Sequence, residues 1–131
     1  MKPLLLKTDC VEFPVPDLDA AIGFYRDRLG HELIWRSATQ AGLRMPQSDC
    51  EILLQTERPE GNVDWKVESA DRAVEEFVRA GGTVEAPPFD IPIGRCAVVR
   101  DPWGNRLVLL DFSKGSYVTD SQGNIIGLKK E

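Results

Sequence analysis

The chain has 131 residues, 42% hydrophobic and 28% charged, an ordinary globular composition that excludes collagen, coiled coil and disorder. Its 16 Lys and Arg against 21 Asp and Glu leave a net charge of -5, which disfavours nucleic acid and suits neutral or cationic ligands. No apolar run approaches the ~20 residues of a membrane span, and Leu4-Leu5-Leu6 before Lys7 and Asp9 is too short for a secretory signal, so a cytoplasmic protein that binds no membrane is expected.

The first predicted element is a strand over 10–15, where Val11, Phe13 and Val15 share one face and Cys10, Glu12 and Pro14 the other. A helix follows, capped by Asp17 and stopped by Gly30, with Leu18, Ala21, Ile22, Tyr25 and Leu29 as its apolar stripe. Strands over 32–36, 42–45 and 51–55 come next, then a connector over 57–62 broken by Pro59 and Gly61. The pattern then begins again. Val63, Trp65 and Val67 alternate with Asn62, Asp64 and Lys66, and Ser69 caps a helix with the stripe Ala70, Ala73, Val74, Phe77 and Val78, ended by Gly81-Gly82. Strands over 83–85, 95–100 and 106–111 complete the copy, with Pro87, Pro88, Pro92 and Gly94 making an irregular loop and residues 101–105 a turn. Residues 116–119 and 124–128 flank Asp120-Ser121-Gln122-Gly123 and read as a hairpin; the glycine is misplaced for a calcium loop.

Residues 10–30 and 62–82 align without a gap, with Val11, Val15, Asp19, Ala21 and Gly30 meeting identical residues. The expectation is an α+β fold of two βαβββ modules, 1–58 and 59–112, with a hairpin extension over 113–131. One helix covers one face of each sheet, so joining the modules would leave a concave cleft on the other faces.

Two stretches carry a family resemblance: Val15-Pro16-Asp17-Leu18-Asp19 through Phe24-Tyr25-Arg26-Asp27-Arg28-Leu29-Gly30, and Asp101-Pro102-Trp103-Gly104-Asn105-Arg106. Over residues 10–111 the chain resembles the vicinal oxygen chelate superfamily, the glyoxalase, bleomycin-resistance and ring-cleaving dioxygenase group. The resemblance implies paired modules with a curled mixed sheet, and a homodimer. It also implies metal-ligand positions that fall here on Cys10, Asn62, Val108 and Leu53 or Leu54.

Those positions depart from the metalloenzyme pattern. Valine and leucine donate no lone pair, an amide is a weak ligand, and a 2-His-1-carboxylate triad cannot be built when His31 is the sole histidine. Three cysteines, Cys10, Cys50 and Cys96, without C-x-x-C spacing speak against a disulfide framework or structural zinc and read as small buried residues. The expectation is therefore no metal, no cofactor and no catalytic residue. The protein should sequester a small molecule, cationic or planar, in the manner of bleomycin-resistance proteins. The ligand-binding candidates are Cys10, Glu12, Trp35, Asn62, Asp64, Lys66, Trp103 and Val108, with Trp65 assigned to the core. Glu12 and Asp64 hold equivalent places and read as partners of Lys66 or a nearby arginine. The rival readings are a lyase or isomerase, metal-free or recruiting an ion through Cys10, Glu12 or Asp64, and an interaction module without ligand.

Overall fold

The computed structural model describes residues 2–130. The chain forms two compact units. One takes residues 9–62 with Tyr117–Gly127; the other takes Val63–Ser116 with the N-terminal stretch to Thr8 and the chain from Leu128. Among the described residues no helix is long and apolar enough to cross a membrane.

The first unit is built on β1 (Lys7–Pro14), α1 (Leu18–Ile22), β2 (Leu33–Arg36), β3 (Gln40–Met45) and β4 (Ser48–Gln55). Its strands run β2-β3-β4-β1, with β1 parallel to β4 and the other pairs antiparallel. Asp17 caps α1 as predicted, its carboxylate accepting from Ala20 N at 3.1 Å. Leu18 and Ile22 pack on Ala41, Leu43, Ile52 and Leu54, with Ala21 and Tyr25 at the margin. Leu43 and Leu54 are fully buried, each worth about 2 kcal/mol of apolar transfer.

The stripe breaks at Leu29, which is 53% exposed. After Ile22 the backbone widens into a π-helical turn, Gly23–Arg28, in which Leu29 N–H reaches back to Phe24 O at 3.1 Å. The extra residue in that turn rotates Leu29 away from the sheet that Leu18 and Ile22 cover.

The second unit repeats the plan with β5 (Val63–Lys66), α2 (Ala70–Arg79), β6 (Thr83–Ile91), β7 (Gly94–Arg100) and β8 (Arg106–Leu110), ordered β5-β8-β7-β6 with β5 parallel to β8. Ser69 caps α2, accepting from Arg72 N at 3.3 Å. Ala70 and Ala73 sit against Val67, Val99 and Leu109, flanked by Trp65, Val74 and Phe77. Val78, at the edge of the stripe, is 46% exposed. Leu4 and Leu5 pack on this core as well.

Pro87 and Pro88, read from sequence as loop, lie inside β6. The register shifts between Val84 and Ala86 and again between Ala86 and Phe89, so neither proline must donate to β7. An edge strand tolerates this. The tail forms β9 (Ser116–Thr119) and β10 (Ile125–Lys129) around the predicted turn, one residue further along than the sequence reading for β10. Asn124 instead bridges Arg36.

Candidate functional site: the sheet faces opposite the helices

In β1 the alternation orients the side chains as expected. Phe13 stacks on Tyr25 of the helical segment, ring centroids 6.0 Å apart, so Cys10 and Glu12 belong to the face turned away from it. Cys10 lies beside Glu51 and Glu12 beside Leu53 in the β1–β4 register. Glu12 is 3% exposed and ion-pairs with Arg58 Nη2, one of the two partner classes anticipated for it.

Gln55 makes that pair possible. Its Oε1 accepts from Glu57 N and Arg58 N, both at 2.8 Å, while Nε2 donates to Arg58 O at 3.1 Å and Glu60 O at 3.2 Å. Every hydrogen-bonding position of the buried amide is used to fold the connector back over the sheet and deliver Arg58. The sequence marks Gln55 only as a polar strand end.

Trp35 reaches the same face through a bulge. The register shifts between Leu33 and Trp35, so Leu33 pairs with Leu43 on the helix side while Trp35 lies opposite Gly42. Its indole Nε1 donates to Glu51 Oε1 at 2.7 Å. A Cβ on Gly42 would collide with both the indole and the Glu51 carboxylate, so glycine is required there. Tyr117 of the tail lies against Trp35 with ring centroids 5.2 Å apart. Burial, together with the charges of Glu51 and Glu57, pushes the Tyr117 phenol above its ordinary range. Tyr117, like Trp35, was an aromatic candidate from sequence, whereas Glu51 was not singled out as a site residue. Asn62, which was, contributes its backbone carbonyl to Glu12 N at 2.8 Å.

The equivalent face of the second unit is apolar. Cys96, Val98, Val108 and Leu110 form a cluster bordered by Ala86, Ile91, Ile93 and Phe112. Buried Asp64 lies beside Val108, and Lys66 beside Leu110, in the β5–β8 register. Lys66 Nζ stands 5.1 Å from the Phe112 ring centroid, a cation–π contact. Trp65 packs in the helix-side core, as expected. Trp103 is 84% exposed on the turn between β7 and β8. His31 Nδ1 donates to Arg44 O at 3.0 Å where β2 begins.

The resemblance implies a divalent metal, and the residues present do not fit one. Of the two leucines proposed for the β4 position, Leu54 lies in the helix-side core and Leu53 on the opposite face. Leu53 and Val108 are hydrocarbon, leaving the Cys10 thiol and the Asn62 amide. Among the described residues no group of three or more His, Cys, Asp or Glu side chains could hold an ion. Such a donor set falls short of the converging ligands that zinc, nickel or iron require.

Among curated proteins none is detectably similar to the chain. Solved structures share its fold. Methylmalonyl-CoA epimerase from Mycobacterium tuberculosis is 20% identical with a TM-score of 0.68, over 85% of this chain and 91% of that one. A hypothetical protein from Bacillus halodurans C-125 is 16% identical with a TM-score of 0.69, over 87% and 98%. A variant of homoprotocatechuate 2,3-dioxygenase from B. fuscum is 21% identical with a TM-score of 0.58, over 84% of this chain and 33% of that one. The sequence pattern of one family spans residues 7–109, both βαβββ copies included, and with it the chain belongs to the glyoxalase/bleomycin resistance protein/dioxygenase superfamily.

Proposed function

We propose that the chain is a metal-independent binding protein that sequesters a small planar or cationic molecule on its helix-opposed sheet faces and does no chemistry on it. One observation carries the reading: the positions at which the resemblance implies ligands hold Cys10, Leu53, Asn62 and Val108. Hydrocarbon there suits an organic guest better than an ion. Half-buried Tyr117, backed by the buried Trp35 ring and beside Glu51, supports an aromatic contact for the first unit's guest next to a carboxylate. The second unit's face offers an apolar floor of Val98, Val108 and Leu110 with Asp64 and Lys66 as polar groups. On this reading the protein works as a cytoplasmic homodimer and binds neither membrane nor nucleic acid, in keeping with its net charge of -5.

The test is tryptophan-fluorescence titration with cationic glycopeptides and planar aromatic cations, with and without EDTA, in the wild type and in Trp35→Phe. The proposal expects saturable quenching with the same midpoint in chelator, a loss of most of the signal in Trp35→Phe, and ligand recovered unchanged by mass spectrometry. Quenching that needs added metal, or a ligand converted to product, would replace it with the lyase or isomerase reading.

A further inference from the structure

The first unit carries a concavity whose lining includes none of the candidate residues on the faces just described. It lies where the π-helical turn, the start of β2 and the tail turn meet, and its volume is about 690 Å³. That is within the size range of small-molecule sites, roughly 300–1,000 Å³. Its wall includes Arg26, His31 and Arg36 on one side and Gln122 and Asn124 on the other, with Glu32 the one carboxylate among its lining residues.

We propose that this groove binds a small oxyanion, a carboxylate- or phosphate-bearing metabolite, through the guanidinium groups of Arg26 and Arg36. Four acidic groups in contact with this lining are engaged, two of them by part of the Arg26 and Arg36 guanidiniums themselves. Glu32 is held by Arg44 Nε at 3.0 Å, and Asp19 by Arg36 Nη1 at 2.7 Å. Asp27 is taken by Arg26 Nε and Nη2. Asp120 accepts from Gln122 N, Asn124 N and Asn124 Nδ2, all within its own turn. Among the described residues, Arg36 Nε and Nη2 and Arg26 Nη1 make no side-chain hydrogen bond, which leaves them for a ligand. Guanidinium forks match carboxylate and phosphate oxygens, and the Gln122 amide supplies a further neutral donor.

The backbone supports the assignment independently. π-Helical turns make up well under 1% of residues and recur at functional sites, and here one carries Arg26 to the groove. The opposite wall is fixed to β2 rather than merely adjacent: Arg36 N donates to Gly123 O at 2.8 Å, and Arg36 bridges Asn124. The ring of His31 is held in place by its bond to Arg44 O.

The experiment is an amide NMR titration of the ¹⁵N-labelled full chain at constant ionic strength, with citrate in one arm and pyrophosphate in the other. Saturable shifts at the amides of Arg36, Gly123 and Asn124 are expected. Arg26→Gln and Arg36→Gln should each weaken binding about tenfold, the scale of one lost charge-assisted hydrogen bond. A response to citrate alone assigns a carboxylate ligand, to pyrophosphate alone a phosphate, and to both the shared oxyanion chemistry. If Arg36→Gln disturbs the fold, Arg26→Gln decides, because among the described residues that side chain pairs only with its exposed neighbour Asp27. The absence of saturable shifts at these amides with either probe, or wild-type affinity in folded Arg26→Gln, would overturn the proposal.

Discussion

Asp111 joins three elements of the second unit. Its buried carboxylate accepts from Ala70 N at the start of α2 (2.8 Å), Arg95 N in β7 (2.9 Å) and Ser113 N after β8 (3.1 Å). Burial alone would raise its pKa, but the bonds from Ala70, Ser113 and Arg95 outweigh it and hold the carboxyl below the usual range. A lowered folded value means stability that is present above the unfolded pKa of about 4 and lost as pH falls through the folded value. Asp111→Ala, which leaves those N–H groups unsatisfied, should cost about 2–3 kcal/mol in urea unfolding at pH 7. The gap from wild type should narrow below about pH 4, and a gap constant down to pH 2 would contradict this account. Arg58→Ala should cost about 2–3 kcal/mol by leaving the Glu12 charge buried, discounted from a fully buried pair because Arg58 is half-exposed; the same unfolding curve reads it. An arginine partner for Glu12 was anticipated from sequence, but the roles of Asp111 and of Gln55, which delivers Arg58, were not legible there. Asp111 read as a strand end because two of its partners, Ala70 N and Arg95 N, are brought to it from distant parts of the chain; Gln55 read as a polar terminus because nothing in its neighbours' composition marks the fold of the connector around its amide. Alternation did place Cys10 and Glu12 on the face away from the helix, since a strand's period of two needs no tertiary context.

At the scale of elements, the two Asp-x-x-Gly-Asn turns are twins. In 101–105 and in 120–124 the aspartate carboxylate accepts from the backbone N–H groups two and four residues on and from the asparagine amide. The glycines take φ of 90° at Gly104 and 86° at Gly123. A Cβ at Gly104 would touch nothing within 4 Å, so Gly104→Ala isolates backbone strain and should lose about 1–2 kcal/mol by thermal unfolding. A neutral outcome would mean that the turn relaxes to another conformation. Helix caps at Asp17 and Ser69 were readable because capping is local chemistry, as were both helices and every strand core. The π-helical turn was not, since a stripe counted at 3.6 residues per turn carries Leu29 inward by assumption. Nor was the reach of β6 through Pro87 and Pro88, which depends on its being an edge strand, a property of the sheet rather than of the segment.

For the whole molecule, duplication is the dominant fact. Each unit pairs its first strand parallel to its last and covers one sheet face with one helix, and the superfamily pattern spans both copies. That plan was visible because alternation, cap, stripe and stop recur in the same order at the same spacing in residues 10–30 and 62–82. The chemistry of the site was only half visible. Sequence gave the residues standing at the implied ligand positions, whereas the Trp35–Glu51–Tyr117 group needed a bulge and the tail to assemble. Isothermal titration of the chelator-stripped protein with Zn²⁺, Ni²⁺, Mn²⁺ and Fe²⁺ tests the central claim most directly. The account predicts no saturable heat at micromolar metal; one-to-one micromolar binding that disappears in Cys10→Ala would contradict it.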